Sequence, residues 1–222
     1  MGASFLKPAE QVAAQLRDIR AFVFDWDGVF NNARKNVHAS SDFNEVDSMG
    51  TNMMRFNHYL HQKKLPGAAL ISGEKNELAF SFSRREHFNA CYYNIKHKIQ
   101  ALEHFCESEG IKQEEVCFFF DDVLDLSIAE RCGMRVLINR KSSPLFKNYV
   151  IKNKLAEYIT ASETGGYAVR EACEMIMGLH GTFDRVMDER KAFSPLYAEF
   201  FEKRQAVQTK IFKVTDGKIT ED

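Results

Sequence analysis

The stretch Ala21–Phe30, AFVFDWDGVF, constrains this chain more than any other. Four mostly apolar residues run into two carboxylates one residue apart, Asp25 and Asp27, and then into Gly28. A short apolar run closed by Asp-Gly predicts a buried strand ending in a turn. Residues i and i+2 of an extended chain share a face, so both carboxylates can stand at the strand's carboxyl end, where open α/β sheets bind ligands. A plain Asp-Gly turn accounts for the same residues taken alone, since both are common turn formers. What the other strands end in decides between the two readings.

Pro8–Ile19 spaces Val12, Leu16 and Ile19 as an amphipathic helix ahead of that strand. The polar segment Asn31–Val46 has β-like pieces at Ala33–His38 and Asp42–Val46, which predict a small hairpin standing over the strand end. From Asp47, the residues Met49, Met53, Phe56 and Leu60 mark one helix face. Ala68–Ile71 forms a second strand, stopping at Ser72-Gly73, and a helix follows from about Glu74 to near His87. Ala90–Ile95 is a third strand, with a helix from Lys98. Val116–Phe120 is a fourth and ends in Asp121-Asp122. A helix at Leu124–Cys132, strands at Arg135–Ile138 and Glu157–Thr160, and a helix at Tyr167–Met177 complete the pattern. Apolar strands alternating with helices imply a Rossmann-like α/β fold, a parallel sheet with helices on both faces. That domain is expected over residues 1–180, with 181–222 as a helical extension whose end, Ile211–Asp222, reads as a frayed hairpin or tail.

A net charge of −1 supplies no global field for nucleic acid or an anionic membrane. The five cysteines are odd in number, widely spaced and mostly inside apolar runs, as in a reduced, cytoplasmic protein. Apolar stretches are strand-sized, so no membrane span is expected.

Three strands end in chemically loaded residues: Asp25 and Asp27, then Ser72, then Asp121 and Asp122. Lys98 opens the helix after the remaining one. Each has a local explanation as a turn or cap residue, except that a cation in a first helical turn opposes the macrodipole. Brought together, Asp25 and Asp121 repel unless a hard cation sits between them, and oxygen ligands suit Mg²⁺. Ser72 at a helix amino terminus would offer donors to phosphate oxygens, and Lys98 a point charge. Such a set suits phosphoryl transfer.

The order Asp25-x-Asp27-Gly28-Val29, Ser72, Lys98, Asp121-Asp122-x-x-Asp125 is similar to the four motifs of the haloacid-dehalogenase-like phosphatases, over about Arg20 to Leu179. The resemblance implies Asp25 as nucleophile and Asp27 as the acid and base. It also implies Mg²⁺ on Asp25, the Asp27 backbone carbonyl and Asp121, phosphate on Ser72, Gly73 and Lys98, Asp122 behind the ligands, and Asp125 supporting the loop. Only about 45 residues separate Asp27 from Ser72, leaving no room for a large cap domain. Asp42-Phe43-Asn44 to Gly50, the Lys98 helix and Gly165–Glu171 resemble the capless, homotetrameric phosphatases of 2-keto-3-deoxy sugar acids, in which neighbouring subunits close the site. Ser72-Gly73-Glu74-Lys75 is like the nine-carbon, sialic-type members, whereas octulosonate 8-phosphate enzymes have Thr-Gly-Arg there. Glu74 is then a candidate for a glycerol-like tail, and Arg85, on the same helix, for a carboxylate of its own or another subunit. An octulosonate 8-phosphate phosphatase and a non-catalytic scaffolding relative are the alternatives. Phe120, Asn31, Asn32 and Tyr167 depart from the group's pattern, and Phe120 is expected to crowd the metal loop.

Overall fold

The computed structural model describes residues 2–35, 42–215 and 217–222. A short strand, β1 (Ser4–Phe5), precedes helix α1 (Ala9–Leu16), which buries Val12 and Leu16. Strand β2 (Ala21–Asp25) is buried along its whole length, and helix α2 (Glu45–Gln62) follows. Three βα units come next: β3 (Gly67–Ile71) with α3 (Glu77–Arg85), β4 (Ala90–Tyr93) with α4 (Lys98–Glu109), and β5 (Val116–Phe120) with the single turn α5 (Leu126–Ala129). Then come β6 (Met134–Asn139), α6 (Pro144–Lys152), β7 (Tyr158–Glu163) and α7 (Ala168–Leu179). Helices α8 (Phe183–Lys191) and α9 (Pro195–Gln205) and strands β8 (Lys210–Thr215) and β9 (Lys218–Glu221) close the chain.

Among the described residues these strands form one sheet, ordered β1-β7-β6-β5-β2-β3-β4-β8-β9. The strands from β7 to β8 run parallel, as expected, and the edge pairs β1–β7 and β8–β9 are antiparallel. Successive residues of β2 and β5 enter opposite faces. Phe22, Phe24 and Phe119 pack in the core with α1, α3 and α7, while Val23, Phe118 and Phe120 pack with α4, α5 and α6. Helix α2 is covered on both sides, because Met53, Phe56, Tyr59 and Leu60 receive Val186, Tyr197 and Phe200 from α8 and α9.

Three sequence expectations change. Of the expected hairpin arms only residues 36–38 lie outside the described residues; the rest is not β: Ala33–Lys35 and Asp42–Asn44 carry no strand, and Glu45 and Val46 begin α2. Helix α3 starts at Glu77, because the Asn76 side chain accepts from the Leu78 and Ala79 amides and so caps it there. The terminal segment is not frayed: β8 lies parallel to β4, with Ile211 and Phe212 buried and Phe212 stacked on Tyr92 at 5.1 Å. All five cysteines are buried free thiols, and no helix among the described residues is long and apolar enough to cross a membrane.

Candidate active site

Parallel pairing of β2 with β5, in the register Phe24↔Phe119, brings Asp25 and Asp121 to neighbouring strand ends. Oxygens of Asp25, Asp121 and Asp125 lie within 4.8 Å of one another, and all three residues are buried. Lys98, the first residue of α4, donates to Asp25 Oδ1 at 2.5 Å and to Asp125 Oδ1 at 2.6 Å. These carboxylates explain a lysine at a helix start, where the macrodipole disfavours it. Burial alone would lower the Lys98 pKa, but Asp25 and Asp125 outweigh it and hold the ammonium charged. Three carboxylates face two cations, Lys98 and Arg140. Burial first, and Asp125 next, push Asp25 well above the usual carboxylate range against the pull of Lys98. Burial and Asp125 likewise push Asp121 up to about 7, with Arg140 opposing. An excess of buried negative oxygen is the environment a hard divalent cation relieves, so the donor set fits Mg²⁺.

Asp27 stands apart from this trio, with its Oδ2 3.3 Å from Lys35 Nζ. Both acids are held by the turn that follows: Asn31 Oδ1 accepts from the Gly28 and Ala33 amides at 3.2 and 2.9 Å, and Asn31 Nδ2 donates to the Trp26 carbonyl at 3.2 Å. Gly28 adopts φ 93°, and a Cβ there would lie 2.0 Å from Asp121 Oδ2. Glycine is required on both counts. Trp26 turns the other way, fully buried against Phe30 and Phe82.

Asp125 does more than support the loop. Its Oδ2 accepts from the Asp121 and Asp122 amides at 3.4 and 3.3 Å while Oδ1 holds Lys98. Asp122 is exposed and caps the next turn through the Val123 amide. Ser72 is buried, but it lies five residues before α3 and not at a helix terminus. Its hydroxyl donates to the Glu74 carbonyl at 2.9 Å and accepts from the Glu74 amide at 3.3 Å. Glu74 accepts from Lys35 Nζ at 2.5 Å. Arg85, which shares no helix with Glu74, instead forks onto Glu45 of α2 at 2.5 Å and lies over the Phe43 ring.

These residues surround a cavity of about 490 Å³ lined by Asp25, Asp27, Gly73, Glu74, Lys98, Asp121, Asp122 and Asp125, with Lys35, Lys96 and Arg140 as further cations. Arg85 does not line it. Lys35 and Arg140 are functional candidates that sequence reasoning passed over. Lys35 falls in the polar segment read as a hairpin arm, where no strand end singles it out. Arg140 had a usable signal, since it follows a strand just as the acids do. The pairing Phe120↔Leu137 sets the end of β6 beside the β5 acids, and Arg140 Nη2 donates to Asp121 Oδ2. Phe120 leaves the site clear: it is fully buried on the α4 face, stacked on Phe118 at 5.8 Å. Tyr167 is half exposed at φ 63°, just before α7. Asp47 and Gly50 of α2 meet Arg170 of α7, whose amide donates to Asp47 Oδ1 at 2.8 Å; these motif residues join two helices outside the cavity.

No protein-family model matches the chain. It is 24% identical over 177 residues to the 3-deoxy-D-manno-octulosonate 8-phosphate phosphatase KdsC of Escherichia coli, covering 78% of this chain and 87% of that protein. Among solved structures it superposes on the 3-deoxy-D-manno-octulosonate 8-phosphate phosphatase of Moraxella catarrhalis, in complex with magnesium, phosphate and KDO. The TM-score is 0.66 at 19% identity, over 81% of this chain and 97% of that one. The corresponding enzyme from Yersinia pestis superposes with TM-score 0.64 at 21% identity, over 78% of this chain and 88% of that one. In sequence and in fold, then, the chain is similar to 3-deoxy-D-manno-octulosonate 8-phosphate phosphatases.

Proposed function

We propose that the protein is a Mg²⁺-dependent phosphatase that hydrolyses the phosphate monoester of a 2-keto-3-deoxy sugar acid. The observation that carries this reading is the buried trio Asp25, Asp121 and Asp125 around Lys98, opening into a cavity large enough for a sugar. Asp25, Asp121 and the Asp27 backbone carbonyl hold the ion in this reading, with Asp125 and Asp122 behind them. A bound Mg²⁺ would supply charge neutralisation at the phosphoryl oxygens. An oxygen of Asp25 forms a bond to phosphorus as the bond from phosphorus to the sugar oxygen breaks, and Asp27 gives its carboxyl proton to the departing oxygen. The Asp27 carboxylate then takes a proton from water whose oxygen bonds to phosphorus, and the bond from phosphorus to Asp25 breaks. Inorganic phosphate leaves and Asp25 is restored. Lys98 keeps Asp25 oriented, and Gly73 and Ser72 bind phosphate oxygens. The Ser72 hydroxyl leaves the Glu74 carbonyl to do so.

The nine-carbon, nonulosonate 9-phosphate type is the substrate that Glu74 supports, because a carboxylate lining the cavity accepts hydrogen bonds from a glycerol-like tail. The eight-carbon alternative is favoured by the octulosonate 8-phosphate phosphatases among the relatives. The Arg85–Glu45 pair leaves Arg85 a role at the contact between subunits of a homotetramer that completes the mouth. The five buried thiols suit the cytoplasm. Phosphate release from nine-carbon and eight-carbon sugar acid phosphates decides between the two. A higher kcat/KM for the nine-carbon ester is expected, and a clear preference for the eight-carbon ester overturns that assignment. Inactivity of the folded protein on both, and on aryl phosphates with Mg²⁺, overturns catalysis and favours a scaffold.

A further inference from the structure

Among the described residues lining the cavity, Arg140 reaches an acid of the trio from the β6 side of the sheet. It follows β6, the neighbour of β5, and its guanidinium lies against Asp121 Oδ2. The side chain is three-quarters buried, at 26% exposure, and the Asp121 side chain is at 2%. Arg140 Nε is buried without a hydrogen-bond partner. An arginine kept there despite an unmet donor is held by its pairing with Asp121 rather than by its own surroundings. Gly28 makes the same point from the opposite strand: a Cβ would fall 2.0 Å from Asp121 Oδ2 and 2.6 Å from Arg140 Nη2, so the first-motif turn passes directly over the pair. The loop carrying Arg140 is itself fixed. The Ser143 amide bonds to the Arg140 carbonyl at 3.2 Å, and Lys147 Nζ to Asn139 Oδ1 at 3.2 Å.

We propose that Arg140 is the positioning residue of the metal-binding carboxylate Asp121, gripping Oδ2 so that the other oxygen serves the cation. This rests on the reading of the trio as a Mg²⁺ site. A carboxylate has two oxygens, and a ligand carboxylate needs an outer partner to fix its rotation. Lys98 is committed to Asp25 and Asp125, so Asp121 receives its partner from a different loop. Nη2 alone reaches Oδ2, and the rigid guanidinium aims that one donor more narrowly than the rotating ammonium of a lysine would. A side chain placed only for packing would leave the ion's affinity unchanged.

The test is Mg²⁺ binding by calorimetry on the whole chain, with Arg140→Ala, Arg140→Lys and the native protein, alongside thermal melts without Mg²⁺. The expected result is an affinity for Mg²⁺ lowered about 10- to 100-fold in Arg140→Ala, with partial recovery in Arg140→Lys and melts close to the native one. Unchanged affinity in Arg140→Ala overturns the proposal while leaving the Mg²⁺ site in place. Tighter binding overturns it too, showing that the guanidinium competes with the ion. A native protein that binds no Mg²⁺ overturns the proposal together with the reading beneath it. If Arg140→Ala fails to fold, Arg140→Lys carries the test, with weakened binding expected and native affinity overturning the proposal.

Discussion

Asp25 and Asp27, two residues apart in sequence, occupy different electrostatic worlds. Asp25 is buried with a lysine and two further acids, while Asp27 sits at the cavity mouth beside an exposed lysine. Asp27→Asn is therefore expected to leave the fold and the trio intact and to lower kcat about 10²- to 10⁴-fold, measured by phosphate release. Native kcat in that variant would remove Asp27 from the chemistry. Asn31→Ala removes the acceptor for the Gly28 amide and the donor to the Trp26 carbonyl, both buried. A loss of about 1–3 kcal/mol in unfolding free energy follows, and denaturant titration reads it. The acids were legible in sequence because carboxylates after apolar runs have few other uses when several strands repeat the pattern. Asn31 was visible only as a departure, since the hydrogen bonds that justify it depend on how the turn folds back.

At the scale of elements, periodicity located the helices, and side-chain capping decided where they start. Helix α3 begins after Asn76 and not at about Glu74, which leaves Ser72 and Glu74 in a loop and parts Glu74 from the helix carrying Arg85. Caps of this kind turn on one hydrogen bond, which residue spacing does not reveal. The join between α2 and the segment leading into α8 is pH-sensitive. The Thr182 hydroxyl donates to Asn57 Oδ1 at 2.5 Å, so Asn57 Nδ2 faces His180 Nδ1 at 2.7 Å and donates to it. His180 must be neutral there. Burial, then the neighbouring His61 and His58, bring its pKa down to about 4. The unfolded chain takes up this proton near pH ~6.5, so the stabilisation is present above that pH and lost as pH falls toward 4. Partial exposure holds the effect to about 1–2 kcal/mol. His180→Gln, which still accepts from Asn57, is expected to lose correspondingly less stability between pH 7.5 and 5 in urea titrations, and an acid limb as steep as the native one would contradict this.

Across the whole molecule, one sheet gathers the site at its centre and uses the last residues of the chain as an edge. The βα alternation made the parallel core legible because buried parallel strands read as continuous apolar runs. Strands β8 and β9 were legible only as a frayed hairpin or tail, since charged residues flank Ile211 and Phe212 and only the open edge of β4 explains where the hairpin docks. Removing residues 207–222 exposes that edge together with Tyr92, so aggregation by light scattering and a lower melting temperature are expected. A truncated protein as soluble and stable as the native chain would show that the edge needs no cover. The chemistry proposed for the middle of this sheet passes through a phosphoryl group carried by Asp25. An aryl phosphate supplies a leaving group that needs little protonation, so Asp27→Asn should form the phosphoenzyme with Mg²⁺ and fail to hydrolyse it. Acid quenching followed by peptide mass spectrometry reads the outcome directly. A phosphoryl group is expected on the peptide containing Asp25, absent when Asp25→Asn is added to the same variant; native turnover with that peptide never phosphorylated, or a phosphoryl group found elsewhere, rules out Asp25 as its carrier.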